Sequence, residues 1–162
     1  MDSMNWPVVY PEIWLLVLAC VVLLADLWSR DAERRTTFWL TQATIAGFAL
    51  LHALRFAEGG TAYGMGGMVV VDPMGHLLAA FAGLAVMVTL AYARPTLASR
   101  EMLKGEFYLL ALLSLLGISV MCSANHFLVV YLGLELMSLS LYALVAMRRD
   151  HPAATEAAMK YF

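Results

Sequence analysis

Long apolar runs separated by short polar links set the pattern of this chain. Five runs reach or approach the roughly 20 residues a helix needs to cross a hydrocarbon core. They extend from about Pro11 to Trp28, Phe38 to Leu54, Met74 to Ala93, Phe107 to Ser123 and His126 to Met147. The link at 124–125 is so short that the fourth and fifth helices are predicted to form a tight antiparallel hairpin. A sixth helix is predicted from near Pro152, a favoured first-turn residue, with Glu156 and Lys160 at i,i+4 before the chain ends at Phe162. The pattern predicts an all-α integral membrane helical bundle: five complete transmembrane helices and the start of a sixth. A span broken off in its first turns leads to the expectation that these residues are the N-terminal part of something longer.

Composition supports the membrane assignment. Of the 162 residues 62% are hydrophobic and only 14% charged, with a mean hydropathy of +0.77; soluble domains carry about 25% charged residues. A net charge of -2 offers no basic field for nucleic acid. The first run is read as a retained helix and not as a signal peptide. Asp2, not Lys or Arg, precedes it, and the apolar stretch continues beyond VLAC (Val17 to Cys20).

The number of basic residues in the links alternates along the chain. Arg30, Arg34 and Arg35 follow the first helix, Arg94, Arg100 and Lys104 the third, and Arg148 and Arg149 the fifth; the opposite side holds only Arg55. The excess of basic residues on cytoplasmic loops therefore predicts an N-terminus on the outer side of the membrane. Trp6, Trp14, Trp28 and Trp39 fall near predicted span ends, where aromatic anchors are common. Between the second and third helices lies EGGTAYGMGGMVVVD (58–72). It has neither GK[ST] nor GxGxxG, so it is read as a flexible external turn with a short extended MVVVD piece.

No metal site is expected. Cys20 and Cys122 lie in separate apolar runs and read as buried free thiols. His52, His76, His126 and His151 form no i,i+4 pair and are expected at span ends and in loops.

The candidate chemistry lies in VVYLGLELMSLSLYALVAM (129–147), where Glu135 sits near the centre of a span. An acidic side chain there costs about 2.5–3.5 kcal/mol on the insertion scale. Tyr131, Glu135, Ser138 and Tyr142 fall within about 60° of one another at 100° per residue, a narrow polar stripe expected to face the bundle interior or a hydrated cavity. Burial disfavours the charged carboxylate unless a cation lies near. Glu135 is therefore a candidate proton relay; the competing reading is a static carboxyl bonded across helices. Lys160 either snorkels, pairs with Glu156 or takes part in a proton path. Asp26 reads as an interfacial residue and Asp72, before Pro73, as a helix-start residue.

GEFYLLALLSLLGISVMCSANHFLVVYLGLELMSLSLYALVAMRRD, followed by EAAMKYF, closely resembles the antiporter-like membrane subunits of respiratory complex I, and PEIWLLVLACVVLLADLW resembles their opening. The resemblance is densest from Gly105 to Phe162. It implies that residues 1–104 are peripheral helices one to three and that 105–162 begin the first of two inverted repeats. It also implies that Glu135 matches a fifth-helix glutamate that pairs with a lysine on a seventh helix, and that Lys160 matches the sixth-helix lysine. The implied activity is proton translocation in NADH–quinone oxidoreductase, beside partner membrane subunits. No cofactor is expected on this chain; NADH, FMN, iron–sulfur clusters and quinone would belong to other subunits. The alternatives are a subunit of a multi-subunit cation/proton antiporter and a non-catalytic membrane scaffold.

Overall fold

A computed structural model of the chain describes residues 4–29, 31, 33–100, 102–148 and 151–161. Asp2, Arg30, Arg149 and Phe162, used in the sequence reading, lie outside the described residues. A 3-10 turn (Trp6–Val9) leads into α1 (Tyr10–Trp28). Then come α2 (Arg35–Glu58), a hairpin of β1 (Ala62–Gly64) and β2 (Val69–Val71), α3 (Pro73–Ser99), α4 (Gly105–Cys122), α5 (Phe127–Val145) and α6 (Pro152–Tyr161). The five predicted spans are α1 to α5, and each is long and apolar enough to cross a membrane.

Helices α1 to α4 share one core. Leu15 and Val22 from α1, Ile45 and Phe48 from α2, Ala79 and Leu90 from α3, and Tyr108, Leu112 and Leu115 from α4 are buried together. The outer faces are apolar as well: Leu24, Leu50, Phe81 and Leu132 are exposed. Apolar residues all round a helix are expected where lipid replaces water. Cys20 lies on this outer surface, not in the core, and both thiols are free. Trp6, Trp28 and Trp39 are exposed near helix ends, as expected of anchors. Trp14 differs: it packs inward, and a Cβ built on Gly47 of α2 would stand 2.7 Å from its ring.

The α4–α5 hairpin closes backbone on backbone. A Cβ on Gly117 would lie 2.6 Å from the Met137 amide nitrogen, and one on Gly133 would lie 2.8 Å from the Gly117 carbonyl. Small residues at facing positions allow this approach, the device by which membrane helices associate where lipid offers no hydrophobic drive.

Two stretches depart from the sequence reading. Helix α3 does not stop at Ala93 but runs through Pro95 to Ser99. Proline removes one backbone donor there, while buried Leu97 packs the last turn against the core. In the glycine-rich link the expected extended MVVVD piece is β2, but the rest is not a flexible turn: Ala62, Tyr63 and Gly64 pair with Val71, Val70 and Val69 as a hairpin. Its tip uses left-handed backbone at Gly66 (φ 66°) and Gly67 (φ 87°), which glycine adopts without steric cost. The Val70 amide donates to the Ser123 carbonyl at 2.9 Å, and the Asn125 amide and side chain donate to Met68 and Gly67 carbonyls at 2.9 and 2.8 Å. The hairpin is thereby tied to the α4–α5 link.

The bundle is sided. At the end opposite the hairpin, Arg34 pairs with Asp26 at 2.7 Å, and Thr37 Oγ1 donates to the same carboxylate at 2.7 Å. Arg94 lies 4.6 Å over the Phe38 ring centroid. Asp26 is thus a partnered end residue. Asp72 caps α3 as expected, accepting from the Gly75 amide at 2.7 Å.

Candidate functional site

Helix α5 presents two different faces. Gly133 and Ser140 are buried against α4. They are seven positions apart, and at 100° per residue they lie about 20° from one another, while Glu135 lies about 160° from Gly133. The stripe therefore points away from the α1–α4 core; of the two settings expected for it, bundle interior or hydrated cavity, the first does not hold within these helices. Tyr131 is exposed, and Glu135, Ser138 and Tyr142 are half-buried. The physical reason is the seam: at Gly117 and Gly133 the backbones of α4 and α5 meet too closely for a larger side chain, which sets the rotation of α5 and turns the stripe to the other face. Among the described residues, none forms a hydrogen bond or ion pair with the Glu135 carboxyl. The Tyr142 ring meets the Tyr161 ring edge-on, with centroids 5.3 Å apart, which places α6 beside one end of the stripe.

Lys160 is not joined to Glu135. Its Nζ lies 2.6 Å from Glu156 Oε1, in the i,i+4 pair that the sequence offered as one of three readings. Both side chains are well exposed, at 75% and 61%. A pair in that setting is worth about 1 kcal/mol or less.

A second polar cluster lies at the hairpin end of the bundle, and the sequence reading did not single it out. Glu12, in the first turn of α1, accepts a hydrogen bond at Oε1 from Ser119 Oγ of α4 at 3.0 Å. His52 of α2 and His76 of α3 are buried and meet through their Nδ1 atoms at 2.9 Å. A cavity of about 10 Å³ lies between these groups, lined by Glu12, His52, Asp72, His76, Ser119 and Ser123 among others. One signal was available: PEIW opens the first apolar run with a carboxylate. The histidine pair left no such signal, because its members are 24 positions apart on different helices.

Comparison with known proteins bears on the α5 segment and on the chain as a whole. Residues 124–162, which hold Glu135 and Lys160, match the family described as NADH:quinone oxidoreductase/Mrp antiporter, TM. The chain is 52% identical, over 99% of its length and 32% of the relative's, to NADH-quinone oxidoreductase subunit N of Polaromonas naphthalenivorans. It is 51% identical to subunit N of Herminiimonas arsenicoxydans, over 100% of this chain and 34% of that one. The chain thus spans about a third of the length of these curated relatives. Among solved structures, respiratory complex I from Thermus thermophilus with bound aureothin contains a chain that superposes with a TM-score of 0.72. The identity is 26%, and the match covers 94% of this chain and 32% of that one. A five-span bundle, the superposition on a complex I chain and this sequence identity converge on one assignment: the chain is a multi-pass membrane protein of the family of antiporter-like subunits that includes subunit N of NADH-quinone oxidoreductase.

Proposed function

We propose that this chain is part of a proton-translocating membrane subunit of NADH–quinone oxidoreductase, with Glu135 as a proton-carrying group. The observation that carries the reading is the place of Glu135. It lies mid-span, within the segment matched to the oxidoreductase/antiporter family, on the α5 face turned away from the core. An acidic group at that depth is costly and needs a partner or a hydrated path. A stripe on the open face is positioned to receive one from a neighbouring element, and a lysine brought there would favour the ionised form.

In this reading redox chemistry with NADH, FMN, iron–sulfur clusters and quinone is carried by partner subunits, and this chain contributes only proton movement. The basic end of the bundle faces the cytoplasm and the hairpin end faces outward, so the N-terminus lies outside. The asymmetry of Arg34, Arg35, Arg94 and Arg148 against Arg55 supports that orientation. Lys160 lies on the basic side and is a possible point of proton entry in competition with its pairing to Glu156.

Glu135→Gln in the full-length protein tests the reading, because it keeps the side chain's shape and removes its ionisation. Proton pumping by the assembled complex in vesicles is expected to fall about tenfold or more, in line with the loss of a positioned proton-transfer group. Pumping at the parental rate in a fully assembled complex would refute the assignment. Lower assembly with unchanged turnover per assembled complex would favour a scaffold role instead.

A further inference from the structure

The hairpin end of the bundle contains a second set of protonatable groups that the Glu135 reading does not use. Two buried atoms there have no hydrogen-bond partner among the described residues: Glu12 Oε2 and His52 Nε2. Both residues line the cavity of about 10 Å³. A cavity of about 10–15 Å³ in this measure holds one water, provided that two or more polar groups bind it. Leaving a buried donor or acceptor unmatched costs about 1–3 kcal/mol, so a water in this cavity would relieve a cost that the two atoms otherwise bear.

The His52–His76 contact adds directionality. At 2.9 Å between Nδ1 atoms, one ring donates an N–H to the bare nitrogen of the other. His76 also lines a separate cavity of about 90 Å³ bordered by Asn5, Arg55 and Ala62, on the side of the N-terminal turn and β1. His76 thus stands between an outer cavity and the inner one. Beyond Glu12 the bundle is closed by Leu15, Leu112 and Leu115, none of which can relay a proton.

We propose that Glu12, His52 and His76 form a binding site for one exchangeable proton and one buried water, loaded from the hairpin end through His76 and closed toward the bundle centre. A proton taken up at His76 Nε2 is matched by transfer of its Nδ1 proton to His52 Nδ1. His52 then gives its Nε2 proton to the water, which passes one to Glu12 Oε2. At the end Glu12 is neutral, both imidazoles are neutral, and the N–H between the rings points the opposite way. Ser119 holds Glu12 by its other oxygen throughout. The other charged or titratable groups facing the site are Arg55 and Glu58 of α2 and Asp72 before α3, around His76, and Cys122 of α4, near Glu12.

Infrared difference spectroscopy on the full-length subunit in the assembled complex reads the site directly and requires no turnover. A carboxylic C=O band is expected to change in intensity as pH is lowered and Glu12 takes up its proton, and Glu12→Gln is expected to remove it. His52→Gln and His76→Gln are each expected to retain the band but slow its exchange with deuterated water several-fold. Absence of a band that Glu12→Gln removes, or exchange at the parental rate in either histidine variant, would overturn the proposal. Should a histidine variant not assemble, Ser119→Ala replaces it: loss of that hydrogen bond must raise the band's frequency, and an unmoved band rejects the site. Glu135→Gln must leave the band in place, so this proposal and the pumping assignment stand or fall separately.

Discussion

Glu12 and Glu135 are both carboxylates on apolar helices, and the bundle treats them in opposite ways. Glu12 is met within the chain, by Ser119 on α4, with His52 and His76 lining the same small cavity. The Glu135 carboxyl has no hydrogen-bond or ion-pair partner among the described residues. The difference shows two uses of a costly group in a membrane. One is enclosed by the helices that fold with it, so its energetics belong to the bundle. The other is held outward by a seam built of glycine, so its energetics depend on whatever docks against α5.

The comparison breaks most completely if the seam is opened. Gly117→Leu or Gly133→Leu would drive a side chain into the backbone of the facing helix, where even a Cβ would stand 2.6–2.8 Å from main-chain atoms. No rotamer relieves such an overlap, so α4 and α5 must separate or rotate. The expected cost is at least about 3 kcal/mol, at the upper end for overpacked sites. It would be read as loss of assembled complex and a lowered Tm in detergent. Normal assembly with either leucine would mean that the seam does not determine where the stripe points.

A smaller effect separates the two carboxylates. Ser119→Ala strips Glu12 Oε1 of its hydrogen bond in a buried site and is expected to cost about 1–3 kcal/mol. Ser138→Ala, beside Glu135 on the half-buried stripe, is expected to change stability by less than about 0.5 kcal/mol. Chemical denaturation of the purified full-length protein compares the two. Equal losses would show that Glu135's face is as closed as Glu12's.

These two residues also mark what the sequence could reveal. The number and order of the five spans follow from lipid's demand for apolar side chains, and that demand is local to each run. The α3 end was missed because hydropathy reports the membrane boundary and not the helix end: Arg94 to Ser99 are helical but polar enough to leave the hydrocarbon. The hairpin was missed because its glycines set a turn whose strands are held by partners elsewhere, at Ser123 and Asn125. Helical spacing placed Tyr131, Glu135, Ser138 and Tyr142 on one face. It could not tell which face, since that depends on where Gly117 meets Gly133. The Glu12, His52 and His76 cluster combines three helices, and no periodicity within one run reports a meeting between runs.

A further small effect bears on Lys160, for which two of the three readings, pairing with Glu156 and proton entry, differ in kind and not in size. If its role is the 2.6 Å pair with Glu156, that pair is exposed and solvent-screened. Lys160→Gln and Glu156→Gln should then each shift stability by less than about 1 kcal/mol, and pumping should be unchanged in both. If Lys160 feeds protons toward the stripe, the two variants must diverge. Lys160→Gln would reduce pumping while stability stays within the same narrow margin, and Glu156→Gln would leave pumping intact or raise it, because the ammonium is released from its partner. Tyr142 and Tyr161 give this second outcome a structural route, since their ring contact holds α6 against the stripe one residue from Lys160. Tyr161→Ala should then lower pumping in the same direction as Lys160→Gln. Identical pumping in all three variants would assign Lys160 to the surface of α6 and leave Glu135 to be served from another element.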